Sequence, residues 1–299
     1  MDDYPKDKGS VPKDLYSTAF FAYSTQLLAN TSKVLGKSRE FKYYSTLYQS
    51  IRNTFIREFI DANGVVKGDT QAGYALALEF DLVPEAMKPK VAANMVKAVK
   101  EYDFRISTGI QTTIRLMNQL VKNGYTGVAY QLLESNRFPS WLYSVNQGAT
   151  TIWERWDGFV KGRGFQGPGM NSFNHYAIGS VGEWMYQHIL GISYDEHTPG
   201  YRHFIVKPEP GGSLNWAKGS YHSINGNIAV VWQNSNDAFS CEVTVPANTS
   251  ATLILPAGRQ ITEGGTPANN AQGVSAAGKN NTTASFLLKS GKYNFRVAR

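Results

Sequence analysis

The residue types best suited to chemistry lie in one segment, 146–175, which reads NQGATTIWERWDGFVKGRGFQGPGMNSFNH. Glu154 and Arg155 stand between Trp153 and Trp156, Asp157 follows, and His175 closes the segment. Flat indole faces stack on sugar rings, and a carboxylate either bonds to sugar hydroxyls or activates water. A surround of low polarity raises a carboxylate's proton affinity toward the range a general base needs. Glycine recurs at 148, 158, 162, 164, 167 and 169, which implies irregular backbone. A loop this long inside a compact domain is uncommon unless it is functional.

Each of these residues also has a structural reading, and both stay open on sequence alone. Glu154 and Arg155 equally suit buried ion pairs that staple the loop to the helices. Asp157-Gly158 is ordinary turn chemistry. His175, on the first turn of an expected helix, suits a hydrogen-bonded core residue or cap as well as a ligand. Glu183, beside Trp184, is a second buried-carboxylate candidate for which a structural role is favoured. Asp69 after Gly68 reads as an N-cap, and Thr108-Gly109 opens another helix; in a ring of helices both also lie where a central pocket would be lined.

The elements that must position this segment come from periodicity. Apolar residues at helical spacing predict helices over 13–35, 38–60, 70–82, from Pro84 to about Tyr102, 108–123, 126–136 and 171–190. Gly36 stops the first, Ser38 is an N-cap candidate for the second, and Asn63-Gly64 marks a turn. The helices pair as hairpins without a fixed-period repeat. Beyond about residue 197 short alternating runs take over: Ile228–Gln233, Phe239–Val245, Thr252–Leu255, Ala284–Leu288 and Tyr293–Val297. They predict a small antiparallel β-sandwich, with 264–283 as a polar low-complexity loop. The expected division is a helical portion, 1–197, and a β domain, 198–299, with the border between 192 and 205.

Composition narrows the function classes. The chain has 299 residues, 42% of them hydrophobic and 13% aromatic, enough for a large core. The net charge of +7 is dispersed: residues 1–197 hold 21 basic and 19 acidic residues, and 198–299 hold 9 and 4. Phosphate tracking needs clustered Lys and Arg, so nucleic acid is not an expected partner. No apolar run approaches the ~18 residues of a membrane span, so membrane insertion is not expected. Cys241 is the only cysteine, which excludes a disulfide framework and a cysteine-based zinc site. No targeting segment is visible, and the compartment stays open.

The run GATTIWERWDG (148–158), followed by SFNHYAIGSVGEWMY (172–186), resembles the α-L-rhamnosidases of glycoside hydrolase family 78. So do KDLYSTAFFAYST (13–25), DTQAGYALAL (69–78) and PGYRHFIVKPEPGGSLNWAKGSYHSINGNI (199–228), in order along nearly the whole chain. The resemblance implies an (α/α)6 barrel followed by a C-terminal antiparallel β-sandwich. It implies hydrolysis of terminal α-L-rhamnose from a rhamnose-containing glycoside or polysaccharide by an inverting mechanism. Glu154 would be the general base, His175 would contact the sugar, and Trp153, Trp156, Trp141 and Arg155 would complete the substrate-binding set. It implies no metal and no cofactor.

Inversion uses two carboxyl groups about 6.5–9.5 Å apart. In family 78 the acid lies in the first half of the barrel, which would precede residue 1. The count of seven or eight helices, against twelve for the barrel, likewise makes the chain resemble the C-terminal part of such an enzyme. The missing barrel half is then an expected partner in the full-length protein, and the chain alone is expected to be weakly active or inactive. Two other functions remain: a carbohydrate-binding protein without chemistry, and a polysaccharide lyase on a similar toroid.

Overall fold

Helix α1 (Lys13–Val34) buries a stripe of small residues, Ala19, Ala22, Thr25, Ala29 and Ser32, spaced three and four apart, with Leu15 at its start. Small side chains let neighbouring backbones approach, and α1 packs against α2 (Ser38–Phe59), which buries the larger Tyr48, Ile51, Phe55 and Phe59. Gly36, at φ +67°, ends α1, and the Lys37 N–H returns to the Ser32 carbonyl at 2.9 Å. Leu27 and Val34, apolar residues at the helical spacing of this run, are exposed, along with Phe21 and Leu28. The helix is apolar on more than one side, and its small-residue stripe is the one used inside. The computed structural model describes residues 10–299.

Helix α3 (Gln71–Glu79) is short, and every residue from Gln71 to Leu78 is buried. A helix apolar all round can sit only inside, and α3 contacts α1, α4 (Lys88–Glu101) and α5 (Thr113–Lys122). Each buried leucine there is worth about 1.5–3 kcal/mol of transfer free energy. Its N-cap is Thr70, whose Oγ1 accepts from Gly73 N–H at 3.0 Å, and not Asp69. Asp69 sits one residue too early, at φ +46°, and its carboxylate accepts from the Tyr74 hydroxyl at 2.5 Å. Burial, then the bond to Asp69, pushes the Tyr74 hydroxyl well up from its ordinary value. Likewise Lys37 precedes α2 as its N-cap residue, and Ser38 is already helical.

Helices α6 (Thr126–Leu133) and α7 (Trp141–Asn146) follow. The sequence pattern misses α7 because six residues carry too little periodicity; Ser140 caps it by accepting from Tyr143 N–H at 3.0 Å. The expected helix 171–190 is a larger departure. Residues 171–176 are irregular, a 3₁₀ turn covers Ala177–Ser180, and α8 (Val181–Trp184) widens into a π-turn over Met185–Ile189. Ser172 and His175 spend their backbone N–H groups on residues far back in the chain, so a helix cannot form there.

Internal packing divides the chain at Val181/Gly182, ahead of the 197/198 border. The last helical turns are bonded to the β unit: Trp232 Nε1–H donates to the Ile189 carbonyl at 2.6 Å, and Glu209 N–H to the His188 carbonyl at 2.9 Å.

After the small hairpin β1 (Phe159–Val160) and β2 (Gly164–Phe165), the β unit holds β3 (Ile192–Tyr194), β4 (His203–Val206), β5 (Trp216–Ser223), β6 (Gly226–Asn234), β7 (Ala238–Val245), β8 (Ser250–Pro256), β9 (Gln260–Glu263), β10 (Thr266–Pro267), β11 (Val274–Lys279), β12 (Thr283–Leu288) and β13 (Gly291–Ala298). One sheet has the order β10-β9-β13-β7-β6-β5 and the other β11-β12-β8-β4-β3. Burial alternates along β8 and β13, and Phe286 of one sheet meets Phe295 of the other with ring centres 5.5 Å apart. One pair, β4–β8, is parallel. The expected loop 264–283 is partly strand: β11 pairs with β12, and its residues after Val274 are exposed, which removes the apolar alternation a sequence pattern needs.

Candidate active site

The segment that carries Glu154 is folded by pairing with the segment that carries His175. Glu154 N–H donates to the Ser172 carbonyl and His175 N–H to the Ile152 carbonyl, both at 2.9 Å. Thr151 Oγ1 adds a bond to the Phe173 carbonyl. Residues 152–154 and 172–175 therefore lie side by side, with the β1–β2 hairpin as the excursion between them. Gly158 stands at the start of that excursion: a Cβ there would lie 2.8 Å from Asn171 Oδ1, so that side chain would have to shift.

Residues 154–158 are bends and turns, and this irregular backbone brings consecutive side chains to one cavity. Glu154, Arg155, Trp156 and Asp157 line an open cavity of about 550 Å³, opposite Tyr102, Ser107, Thr108, Phe138 and Pro139. That is within the range of small-molecule sites, about 300–1,000 Å³. Trp153 and Trp141 instead line a smaller neighbouring cavity of about 250 Å³. Trp156 and Ile178 border both.

Within the larger cavity each polar group is fixed. The Glu154 carboxylate accepts from Ser172 N–H at 2.9 Å through Oε2, and is half-buried. Arg155 grips Asp157 in a two-pronged bond, Nε and Nη2 each 2.8 Å from a carboxylate oxygen. So the ion pair anticipated as a staple joins Arg155 to Asp157 inside the loop. Trp156 Nε1–H donates to the Thr108 carbonyl at 2.7 Å, and its ring meets Trp141 edge-on at 5.2 Å. Trp141 Nε1–H donates to the Ile178 carbonyl at 3.1 Å, and Trp153 packs edge-on against Phe173 at 5.1 Å.

His175 lines neither cavity. Its Nδ1 accepts from Ala177 N–H at 3.3 Å, capping the 3₁₀ turn, and its ring stacks on the exposed Tyr176. With Nδ1 accepting, Nε2 is left as the hydrogen-bond donor. Glu183 is exposed, not the buried carboxylate expected, and accepts from Gln187 at 2.9 Å on its own helix.

Two contributors escape the sequence pattern. Ser172 holds the Glu154 carboxylate by its backbone N–H, and the Thr108 carbonyl holds Trp156. Backbone groups leave no signature in residue type; the Ser-Phe-Asn-His run marks one place, and Thr108-Gly109, expected to open a helix, instead lies in irregular backbone ahead of α5, which begins at Thr113. Among the described residues, no group of three His, Cys, Asp or Glu is placed to hold a metal ion, and no helix is long and apolar enough to cross a membrane.

A helical unit with a carboxylate at the wall of an indole-bordered cavity, followed by a two-sheet β unit, is the layout of a six-hairpin glycosidase with a C-terminal β domain. Residues 2–189 match the bacterial alpha-L-rhamnosidase 6 hairpin glycosidase domain, and residues 191–268 match the bacterial alpha-L-rhamnosidase C-terminal domain. The chain belongs to the bacterial α-L-rhamnosidase family.

An alpha-L-rhamnosidase of Streptomyces avermitilis is 42% identical over 255 residues, covering 85% of this chain and 24% of its own length. One from Alteromonas sp. strain LOR is 36% identical over 294 residues, 97% of this chain and 30% of its own length. The crystal structure of the Streptomyces avermitilis alpha-L-rhamnosidase complexed with L-rhamnose superimposes with a TM-score of 0.89, at 38% identity, over 99% of this chain and 28% of that one. The alpha-L-rhamnosidase of Aspergillus terreus gives 0.83 at 33% identity, over 96% of this chain and 31% of that one. The chain spans about a quarter to a third of the length of these relatives.

Proposed function

We propose that the chain carries the general base of an α-L-rhamnosidase, with the sugar held in the larger cavity. Glu154, pinned by Ser172 N–H through one oxygen, keeps the other for a water molecule. That water attacks the anomeric carbon of a terminal α-L-rhamnose, Glu154 takes its proton, and the product has inverted configuration. The Trp156 indole offers an apolar face to the sugar ring. Arg155, held by Asp157, presents guanidinium hydrogens at the rim; His175 lies outside this lining, so no sugar contact is assigned to it.

The observation that carries this reading is a carboxylate fixed by one backbone N–H at the wall of a cavity of sugar size. Among the described residues of that lining, the other carboxylate is Asp157, already engaged by Arg155. The acid of the couple is therefore assigned outside this lining. Glu154→Gln in the full-length protein tests the proposal in two parallel measurements, turnover of an aryl α-L-rhamnoside and L-rhamnose binding by calorimetry. The expected result is a loss of about 10²–10⁴-fold in turnover with binding retained, as for removal of a general base. Unchanged turnover would favour a sugar-binding role without chemistry. An unsaturated uronate product would instead point to a lyase.

A further inference from the structure

Gln71 is a polar residue on a helix that is otherwise buried on all sides, and it is itself 1% exposed. The chemistry above does not use it. Its Nε2 donates to the Arg105 carbonyl at 2.9 Å, and its Oε1 accepts from Ser107 N–H at 3.0 Å. One donor and one acceptor, matched to residues i and i+2 of a segment, are what an adjacent β-strand would supply. The carboxamide thus stands in for a strand, and both of its ends are in use.

The residue after Ser107 is Thr108, whose carbonyl takes the Trp156 indole hydrogen at 2.7 Å. Thr108 Oγ1 is in turn 2.9 Å from Thr113 Oγ1 at the start of α5. Arg105, buried at 6% exposure, ties this segment to the next, where its Nη1 donates to the Phe138 carbonyl at 2.8 Å. Ser107, Thr108, Phe138 and Trp156 all line the Glu154 cavity.

We propose that Gln71 is a positioning residue for this site: it sets the backbone at Arg105 and Ser107, hence the Thr108 carbonyl and the plane of the Trp156 indole. It does so without touching substrate. The functional part of this inference rests on the proposed sugar site, whereas the clamp itself is a property of the chain alone. Gln71→Glu keeps the shape and removes the donor, turning a carboxylate oxygen against the Arg105 carbonyl.

The test uses the ¹⁵N-labelled chain, with the indole resonances assigned by Trp156→Phe and Trp141→Phe. In Gln71→Glu the Trp156 indole hydrogen should exchange with solvent at least about tenfold faster, while that of Trp141 is unchanged. L-rhamnose affinity should fall about tenfold through the displaced wall. An unchanged Trp156 resonance in the folded variant overturns the proposal, as does equal loosening of both indoles. If Gln71→Glu does not fold, the unmodified chain decides. One clamp opening should release Ser107 N–H and the Trp156 indole at rates within about tenfold of each other, and an indole more than about 100-fold faster overturns the proposal. Failure of the sugar site is distinguishable: the indole effect persists, but L-rhamnose binds neither form.

Discussion

In the β unit, titratable groups that leave solvent are closed off by partners. His203 bridges the parallel pair β4–β8, with Nδ1 2.8 Å from Ser250 Oγ and Nε2 2.9 Å from Thr252 Oγ1. Glu209 is held by His188 and Lys207, each at 2.7 Å. Cys241 is fully enclosed, and burial pushes its thiol up to about 12, so it is inert. In the helical unit, buried polar groups instead brace an open cavity. Gln71 and Arg105 spend their bonds on backbone that carries its walls, and the Glu154 carboxylate is pinned through Oε2 at the edge of the space. The same bonding groups serve closure in one unit and an aperture in the other. The difference lies in irregular backbone: the walls at 102–109 and 152–175 are largely turning or without regular structure, which leaves carbonyls and N–H groups for side chains.

The contrast predicts that substitutions at the cavity change catalysis more than stability, and that those in the β unit do the reverse. The largest effect is on turnover at Glu154→Gln, with the melting temperature nearly unchanged. Next, Trp153→Ala should destabilise the chain by about 3–5 kcal/mol in thermal or urea unfolding, because it empties a buried site. Its L-rhamnose affinity should stay close to that of the parent. Trp156→Ala should show the opposite balance, an affinity at least about tenfold weaker by calorimetry, equivalent to about 1.4 kcal/mol. If the two tryptophans behaved alike, the separation into two cavities would be wrong.

Gly158→Ala comes next, at about 1–3 kcal/mol in unfolding, since its new methyl group must displace Asn171. The smallest effect belongs to the β unit and depends on pH. Burial would raise the Glu209 carboxyl, but the bonds from His188 and Lys207 outweigh it and hold the carboxyl below its ordinary value. A lowered folded value means that the stabilisation is fully present above the ordinary 4.5 and is lost as pH falls through the lower folded value. Unfolding of Glu209→Gln across that range should be flatter with pH than unfolding of the parent, and aryl rhamnoside turnover near neutrality should be unaffected.

Much of this arrangement is legible in the residues. Helices α1 to α6 follow from 3.6-residue spacing and from breakers such as Gly36, and β7, β8, β12 and β13 from alternation. The exceptions have two causes. Strands β5 and β11 are exposed along most of their length, so no apolar alternation marks them. Residues 171–176 have a helical apolar pattern, but pairing with 152–154 takes their backbone bonds, and sequence spacing does not reveal a partner twenty residues away. At the site, Glu154, Arg155 and Trp156 are found together as the sequence implies. Trp141 and Trp153 are set on the neighbouring cavity because the direction of a side chain depends on the local backbone, which aromatic density does not encode. The clamp at Gln71 is visible in sequence only as a polar residue opening an apolar helix, a pattern that an N-cap explains equally well.

The most direct measurement is a crystal structure of the chain with L-rhamnose. The account predicts the sugar in the larger cavity, its ring against Trp156 and its anomeric carbon facing Glu154 across a water molecule. L-rhamnose seated between Trp141 and Trp153, or bound with the Glu154 carboxylate turned away from it, would contradict the account.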